Sequence, residues 1–363
     1  MNADLRWMRA ALALAQRGLG RVWPNPAVGC VIVRNGRLVG RGWTQPGGRP
    51  HAEAMALAQA GKAAKDATAY VSLEPCAHHG KTPPCCDALI SAGVQRVVSP
   101  MEDPDPRVAG QGFGRMQAAG LSVEVGLLAD EAFNANEGFL TRQRLGRPKV
   151  TLKLASSMDG GIATAIGESK WITGPAARRR VHLMRAQADA IMIGAGTARA
   201  DNPGLDVRLA GFEDCDPLPI IVGGKADSLP GKLTAALPHR PIWHAQQEGT
   251  EGEALEGVET IYVRRSADGL DLNNLLQVIG ARGVTRVLSE GGGAMAASLI
   301  KADLVDEIVW MTAGLAIGEG ARSAIGDLGI GKLDGAPRFT LARFEQIGCD
   351  CLSVWRPQRH SQA

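Results

Sequence analysis

The segment His51-Ala52-Glu53 and two later thiols, Cys76 and Cys85, constrain the fold of this 363-residue chain more than any other feature. Each of the two cysteines directly follows a proline. An imidazole and two thiolates can hold Zn²⁺ from three sides, and a catalytic zinc site leaves its fourth position open for water. The metal lowers the pKa of that water to about 7. The sequence therefore predicts one zinc ion with His51, Cys76 and Cys85 as its ligands.

Glu53 lies too close in sequence to His51 to be needed as a ligand, and it is well placed to shuttle a proton. Zinc deaminases that act on bases combine His/Cys/Cys ligation with such a non-ligating glutamate. We therefore interpret the N-terminal third of the chain as a domain that deaminates an aminopyrimidine, with Glu53 as its catalytic acid and base. Two alternatives stay open: buried structural cysteines beside a surface histidine, and competing ligation by Cys86 or by His78-His79.

The composition excludes several classes of partner. A formal net charge of +3 and an aromatic content of 4% give no argument for a nucleic acid or a membrane surface as a partner. Seven cysteines in a chain of this length do not resemble a disulfide framework. No apolar run is long enough to span a bilayer. We expect a cytoplasmic protein that works under reducing conditions.

Hydrophobic periodicity and turn signals predict an alternating α/β order in the first half. The pair Asn35-Gly36 predicts a hairpin with a type I′ turn, and Thr82 is the expected N-cap of a later helix. Asn25 lies between two prolines, which fix a rigid path for the chain. Its amide is expected to point at a heterocycle, and the alternative is a stiff turn with a solvated Asn25. The predicted elements are a helix over 3–17, strands over 30–34 and 37–40, a helix over 52–60, a strand over 68–73, a helix ending at 91, a strand over 94–99, a helix over 114–119, a strand over 121–125 and a helix over 131–142.

The basic, apolar-poor stretch 142–148 is interpreted as a linker, which divides the chain into domains over 1–145 and 146–363. Strands and helices alternate again beyond it, as in an α/β sheet. The predicted strands cover 150–155, 190–193, 220–222, 242–243, 260–263, 286–289 and 307–311, and the predicted helices cover 176–186, 272–281 and 294–302. The glycines of 291–293 before the last helix could cradle a phosphate, although a tight strand-to-helix turn is the commoner explanation for such a triplet.

Three runs in the first half resemble the deaminase half of the bifunctional riboflavin-biosynthesis deaminase–reductase family. They are His51-Ala52-Glu53, Leu73-Glu74-Pro75-Cys76-Ala77-His78-His79-Gly80-Lys81-Thr82-Pro83-Pro84-Cys85 and Asp103-Pro104-Asp105-Pro106-Arg107-Val108-Ala109-Gly110. The eight residues between the two thiols are typical of that family and not of cytidine or tRNA deaminases. The resemblance implies a cytidine-deaminase-like α/β/α domain at the N-terminus.

Further runs are similar to the reductase half of the same family, so the resemblance covers roughly residues 3 to 358. They are Lys153-Leu154-Ala155, Gly167-Glu168-Ser169-Lys170-Trp171-Ile172-Thr173, Arg185-Ala186-Gln187, Asp201-Asn202-Pro203-Gly204-Leu205, Arg208 and Glu290-Gly291-Gly292. The resemblance implies a dihydrofolate-reductase-like α/β domain that uses NADPH. The cofactor contacts it implies are Ala155, Trp171, Thr197, Asp201, Gly292 and Gly293; the substrate contacts are Ser169, Arg185, Leu205, Arg208 and Glu290.

The substrate implied by this resemblance is a small molecule, a diaminopyrimidinone ribosylamine phosphate. It would be deaminated at zinc and then reduced by NADPH at the ribosyl group, and the enzyme would be a homo-oligomer. Arg185 and Arg208 are suited to bind a sugar phosphate in a bidentate manner. We keep Arg178–Arg180 as solvated side chains and His182 as a helix-surface residue, and Trp171 as a possible core residue.

Three other functions remain open from the sequence. The first is a nucleoside or tRNA deaminase fused to an unrelated reductase, and the second is a structural zinc domain on a nucleotide-sensing module. The third keeps the family fold without reductase activity, because residues 212–260 match the family weakly. In that region Val222-Gly223-Gly224-Lys225 replaces an expected hydroxyl-bearing loop, which leaves the choice between NADPH and NADH open.

Overall fold

The computed structural model describes residues 3–78, 83–105, 108–225, 229–237, 239–250, 255–266 and 269–358. The chain divides into two compact units, Met1–Gly146 and Arg147–Ala363. Helices and strands alternate in both units, as the sequence predicts. None of the helices within these described ranges is long and apolar enough to cross a membrane.

The first unit is a five-stranded sheet with helices against both faces. Its strands lie in the order β2-β1-β3-β4-β5, in which β1 runs antiparallel to its two neighbours and β3, β4 and β5 run parallel. The elements are α1 Ala3–Ala15, β1 Gly29–Arg34, β2 Arg37–Trp43, α2 Ala52–Ala60, β3 Thr68–Val71, α3 Cys85–Ser91, β4 Arg96–Ser99, α4 Gln111–Ala118, β5 Ser122–Val125 and α5 Ala129–Leu145. One core cluster joins the sheet to α2, α3 and α4, and another joins it to α1.

The predicted hairpin is confirmed. Asn35 and Gly36 have φ values of 50° and 71°, as a type I′ turn requires, and the strands on either side pair antiparallel. The helix after the second thiol begins at Cys85 with Pro84 at its N-cap position, whereas Thr82, the predicted cap, lies outside the described residues.

The predicted linker 142–148 is wrong. Helix α5 continues to Leu145 and ends at Gly146, whose φ of 69° suits a glycine C-cap. Arg147 is buried and donates two hydrogen bonds to the Asp306 carboxylate, at 2.7 and 2.9 Å. The basic residues that resembled a solvated linker therefore form the end of a helix and a buried ion pair.

Close packing of α2 on β2 positions the start of that helix. A Cβ on Gly42 of β2 would lie 2.4 Å from the Ala52 carbonyl oxygen, so only glycine allows this approach. His51 occupies the N-cap position of α2 and Glu53 its first turn. The strand contact therefore fixes the backbone that carries both side chains.

The second unit contains a nine-stranded sheet in the order β11-β10-β9-β8-β14-β6-β15-β18-β17. Its pairs are parallel except those of β18 with β15 and β17. The elements are β6 Lys149–Ser157, β7 Gly161–Ala163, α6 Pro175–Ala186, β8 Ala190–Gly194, α7 Ala195–Asp201, β9 Leu218–Val222, α8 Gly231–Thr234, β10 Ile242–Gln247, β11 Val258–Val263, β12 Arg265–Ser266, β13 Gly269–Leu270, α9 Leu272–Ala281, β14 Arg286–Ser289, α10 Gly293–Lys301, β15 Glu307–Ala313, β16 Arg322–Ser323, β17 Phe339–Ile347 and β18 Asp350–Pro357.

The long hairpin of β17 and β18 was not predicted. Most of β17 is exposed, and it lies at the edge of the sheet, so its sequence does not show the apolar alternation of a half-buried strand. The parallel strands β6, β8, β9 and β14 bring their carboxyl ends to one edge of the sheet. That edge is where open α/β sheets bind ligands.

Candidate active sites

Three predicted ligands meet in the first unit. His51 Nδ1 lies 3.6 Å from Cys76 Sγ and 3.3 Å from Cys85 Sγ, and the three donor atoms all lie within 4.8 Å of one another. His51 stands at the N-cap of α2, Cys85 is the first residue of α3, and Cys76 lies in the loop after β3. Two helix starts and one loop thus converge on a single point.

This donor set fits zinc. Bond lengths of ~2.3 Å to sulfur and ~2.1 Å to nitrogen place tetrahedral S and N ligands about 3.6 Å apart. The two observed distances from His51 Nδ1 to sulfur, 3.6 and 3.3 Å, are close to that value. Cys86 points elsewhere, with its thiol 3.5 Å from Asp87 Oδ1. His78 Nδ1 is buried without a hydrogen-bond partner among the described residues, and His79 lies outside them.

The pKa values of the Cys76 and Cys85 thiols are shifted in opposite directions. A hydrogen bond from the Cys85 thiol lowers the pKa of Cys76 to about 4, with further help from His51 and from the Cys85 backbone N–H, whose nitrogen is 3.4 Å from Cys76 Sγ. The same thiol–thiol hydrogen bond raises the pKa of Cys85, and burial adds to this effect. The shifts make Cys76 the more acidic of the two thiols, and both must be deprotonated to bind a metal ion.

Glu53 is buried beside this cluster, with only 3% of its surface exposed. Burial, followed by the negative charge of Cys76, raises the pKa of Glu53 to about 7. A carboxyl group with a pKa near neutrality can both accept and release a proton at neutral pH. The structure thus places a proton carrier next to the three donor atoms.

A cavity of about 220 Å³ opens onto the cluster. His51, Glu53 and Cys76 line one part of it, and Asn25 from the proline-rich loop lines another, as the sequence predicts. Asp103 and Asp105 are also buried in its wall. Burial, with the nearby negative charges of Asp105, Glu74 and Cys76, raises the pKa of Asp103 to about 6. The cavity is large enough for a single heterocycle and has polar groups on several sides.

Sequence reasoning missed the role of Glu74. Its buried carboxylate accepts four backbone N–H groups, two at Oε2 and two at Oε1. The signal was present as an acidic residue immediately before Pro75-Cys76. Its partners, however, lie at positions 103 to 113, and no local pattern indicates such a contact.

The second unit contains a cleft of about 1960 Å³ at the carboxyl ends of β6, β8, β9 and β14. Every cofactor and substrate contact that was expected in this half lines it. These residues are Ala155, Ser169, Trp171, Arg185, Thr197, Asp201, Leu205, Arg208, Glu290, Gly292 and Gly293. Leu205 is almost fully buried, and its side chain belongs to a core cluster beside the cleft.

The turn before α10 is held by a side chain from α7. Gly292 is the N-cap of α10, and its N–H donates to Thr197 Oγ1 at 3.0 Å. The following helix is nine residues long and begins at Gly293. The glycine turn therefore faces the cleft with a defined geometry.

Arg185 makes a bidentate contact, but with a protein carboxylate. Its Nε and Nη2 donate to Glu290 at 2.7 and 2.9 Å, and its Nη1 donates to the Asp206 carbonyl oxygen at 3.0 Å. Burial would raise the pKa of Glu290, yet the Arg185 charge and hydrogen bonds, with Lys153, hold it below its usual value. Burial lowers the pKa of Lys153. Arg208 is exposed at the cleft and 3.6 Å from Asp206.

Two assignments of side chains to core or surface need correction, and a third residue, on a helix surface as expected, proves to have a hydrogen-bond partner. Trp171 is not a core residue, because 67% of its surface is exposed and the Arg178 guanidinium lies 4.5 Å from its ring centroid. Arg178 is not simply solvated, since it also donates to the Thr173 carbonyl oxygen at 2.6 Å. His182 lines the cleft, and its Nδ1 accepts the Arg208 backbone N–H at 3.2 Å.

Comparison with known proteins agrees with both halves. The family model "RibD C-terminal domain" matches residues 148–353, and the model "Cytidine and deoxycytidylate deaminase zinc-binding region" matches residues 1–101. The riboflavin biosynthesis protein RibD of Escherichia coli K12 is 43% identical over 97% of this chain and 99% of its own length. That of Haemophilus influenzae is 41% identical over 98% of each chain.

Solved structures agree as well. RibD of Acinetobacter baumannii superimposes with a TM-score of 0.87 at 36% identity, covering 98% of this chain and 99% of that one. A Thermotoga maritima structure described as a diaminohydroxyphosphoribosylaminopyrimidine deaminase/5-amino-6-(5-phosphoribosylamino)uracil reductase gives a TM-score of 0.87 at 34% identity, with the same coverage.

These matches confirm the fold class, a cytidine-deaminase-like domain followed by a dihydrofolate-reductase-like domain. A match to the RibD C-terminal domain over 148–353 also excludes an unrelated reductase in the second half. Identity above 40% over nearly the whole length identifies the family. The chain belongs to the RibD family, the bifunctional deaminase–reductases of riboflavin biosynthesis.

Proposed function

We propose that this chain catalyses two consecutive steps, with a deaminase domain over 1–145 and a reductase domain over 146–363. The first step is the hydrolytic deamination of a diaminopyrimidinone ribosylamine phosphate. The second is the NADPH-dependent reduction of the ribosyl group to a ribityl chain. The observation that carries the proposal is the convergence of His51, Cys76 and Cys85 beside buried Glu53.

In the deaminase site His51, Cys76 and Cys85 would hold the zinc ion. When bound, zinc would lower the pKa of a water molecule, so that a hydroxide nucleophile is available at neutral pH. Glu53 takes the proton of the attacking water, delivers it to a ring nitrogen and then assists the departure of ammonia. Its raised pKa of about 7 supports this dual role. Asn25, in the cavity wall, orients the pyrimidine ring.

In the reductase cleft Ala155, Trp171, Thr197, Asp201 and the turn at Gly292-Gly293 would bind NADPH. The size of the cleft and the glycine turn before α10 fit a dinucleotide. When bound, NADPH supplies the hydride.

The substrate would contact Ser169, Arg185, Leu205, Arg208 and Glu290 in the same cleft. Arg208 can reach the phosphate, because its side chain is 66% exposed and its ion pair with Asp206 is long, at 3.6 Å. Arg185 acts mainly by holding Glu290 ionised, so that Glu290 accepts hydrogen bonds from the substrate. Lys153 and Asp201 are then the candidates for supplying the proton, and both line the cleft.

The protein would work as a cytoplasmic homo-oligomer whose partner is this small molecule rather than a nucleic acid or a membrane. No disulfide joins any of the seven cysteines, all of which lie in the described part of the chain, and this suits a reducing compartment. The edge strand β17 carries the exposed side chains Leu341 and Phe344, 47% and 63% exposed, which favours association through that strand.

Replacing Glu53 by Ala tests the separation of the two activities. The variant should lose ammonia release while it retains zinc and still oxidises NADPH with the deaminated intermediate. A Glu131→Ala variant is the matched control, because Glu131 is an exposed glutamate that pairs with Arg9 at the surface. Loss of both activities together in Glu53→Ala would contradict two independent sites.

A further inference from the structure

Glu74 is a buried acidic side chain whose hydrogen bonds all go to one segment of backbone. It is 3% exposed. Oε2 accepts the N–H of Asp103 at 3.1 Å and that of Gly110 at 2.9 Å. Oε1 accepts the N–H of Gly112 at 2.8 Å and that of Phe113 at 3.2 Å. A carboxylate that satisfies four backbone donors is a strong local constraint.

The hydrogen bonds of Glu74 join two segments that contribute different parts of the site. Glu74 precedes the ligand Cys76 by two residues, so it belongs to the segment that carries a metal ligand. The segment it holds supplies Asp103, Asp105 and Val108 to the wall of the cavity. The four hydrogen bonds therefore set the distance between the ligand cluster and the opposite wall.

The start of α4 is pressed against the same segment. A Cβ on Gly112 would lie 2.2 Å from the Pro75 carbonyl oxygen and 3.1 Å from Glu74 Oε1. Only glycine permits this approach, so the contact depends on both the carboxylate and the missing side chain. His51 and Glu53 lie on α2, which packs on β2, and are positioned separately.

We infer that Glu74 is a positioning residue of the deamination site, and that it determines substrate affinity by holding the Asp103–Asp105 wall at a fixed distance from the ligand cluster. The inference rests on the proposed deaminase function. In this inference the wall binds the substrate away from the reacting carbon, so moving the wall weakens the binding of substrate and transition state alike. Such a change raises KM and leaves kcat in place.

Glu74→Gln tests this inference. Glutamine keeps the size of the side chain, but its amide has a single acceptor oxygen. The two backbone N–H groups that bind the other carboxylate oxygen therefore lose their acceptor. We expect KM for ammonia release to rise by roughly ten- to a hundredfold, with kcat within about twofold of the native value. Zinc should remain at one per chain. Glu102→Gln is the control: Glu102 is an exposed glutamate of the same segment, and its replacement should leave KM unchanged.

A merely structural role would give a different result. Glu74→Gln would then lose zinc or active protein, which lowers kcat at constant KM, and that outcome would overturn the inference, as would an unchanged KM. If Glu74→Gln does not fold, Glu74→Asp carries the same expectation of a raised KM at constant kcat, because the shorter carboxylate cannot reach all four N–H groups. Native enzyme that releases no ammonia would instead refute the proposed function itself.

Discussion

The guanidinium of Arg185 and the carboxylate of Glu290 form a bidentate ion pair at 2.7 and 2.9 Å inside the reductase cleft, with side chains only 12% and 9% exposed. Removing one partner of such a pair leaves a buried, uncompensated charge, which costs about 3–5 kcal/mol. We expect Glu290→Gln to lower the unfolding free energy of the reductase domain by about that amount. Urea unfolding near neutral pH measures it, and a loss below about 1 kcal/mol would contradict a closed pair.

The same pair makes stability depend on pH. The pKa of Glu290 is lowered in the folded state, so its stabilising effect is complete above the unfolded value of about 4.3 and is lost as the pH falls through the folded-state pKa. Glutamine does not titrate. The difference in unfolding free energy between native protein and Glu290→Gln should therefore narrow as the pH is lowered from about 6 to about 3. A constant or widening difference would mean that Glu290 is not held ionised.

Replacing Cys85 by Ser should abolish zinc binding. The serine hydroxyl is a poor ligand beside an imidazole and one thiolate, and ligands must be deprotonated to bind the metal. Metal analysis of the purified protein should find far less than one zinc per chain, and ammonia release should stop. Cys86→Ala is the matched control, since Cys86 is the neighbouring buried thiol and is outside the donor cluster. Zinc retained in Cys85→Ser, or lost in Cys86→Ala, would disprove the ligand assignment.

Thr197→Val should weaken NADPH binding. Valine has the shape of threonine but cannot accept the Gly292 N–H, and an unpaired amide costs about 1–3 kcal/mol. The dissociation constant measured by fluorescence titration should rise by about tenfold, corresponding to 1.4 kcal/mol. Thr260→Val, on β11 and outside the cleft lining, should have no effect. Native affinity in Thr197→Val would show that the turn does not contact the cofactor.

Gly42→Ala should displace α2 and with it His51 and Glu53. The added methyl group would meet the Ala52 carbonyl oxygen at 2.4 Å, so the helix must shift. We expect lower zinc affinity and a loss of about 1–3 kcal/mol of stability. Gly114→Ala is the control: this helical glycine has open space around its Cβ position, and alanine should stabilise it by up to about 1 kcal/mol. Equal effects of the two variants on zinc would refute the argument.

Local patterns were enough to predict most elements near the metal ligands. The Asn35-Gly36 hairpin and the helix after His51 depend on interactions within a few residues, so the sequence displays them directly. The three donor residues could be predicted because zinc favours histidine and cysteine ligands, and because each of the two cysteines follows a proline. The edge hairpin β17–β18 could not be predicted from periodicity, because the exposed residues of β17 mix polar and apolar side chains.

Contacts between residues far apart in the chain could not be predicted from local sequence patterns. No residue near Arg185 in the sequence indicates that its guanidinium binds Glu290, which lies 105 residues away. The same holds for Glu74, whose acceptors are used by backbone 29 to 39 residues further along the chain. In both cases the charged group was noticed in its motif, but its partner is decided by the folded topology.

The most direct test measures zinc content, ammonia release and NADPH oxidation on one preparation supplied with the diaminopyrimidinone ribosylamine phosphate. The account predicts one zinc per chain, equal amounts of ammonia released and NADPH oxidised, and, after exhaustive chelation, loss of ammonia release with reduction of the deaminated intermediate intact. Undiminished ammonia release from metal-free protein would contradict it.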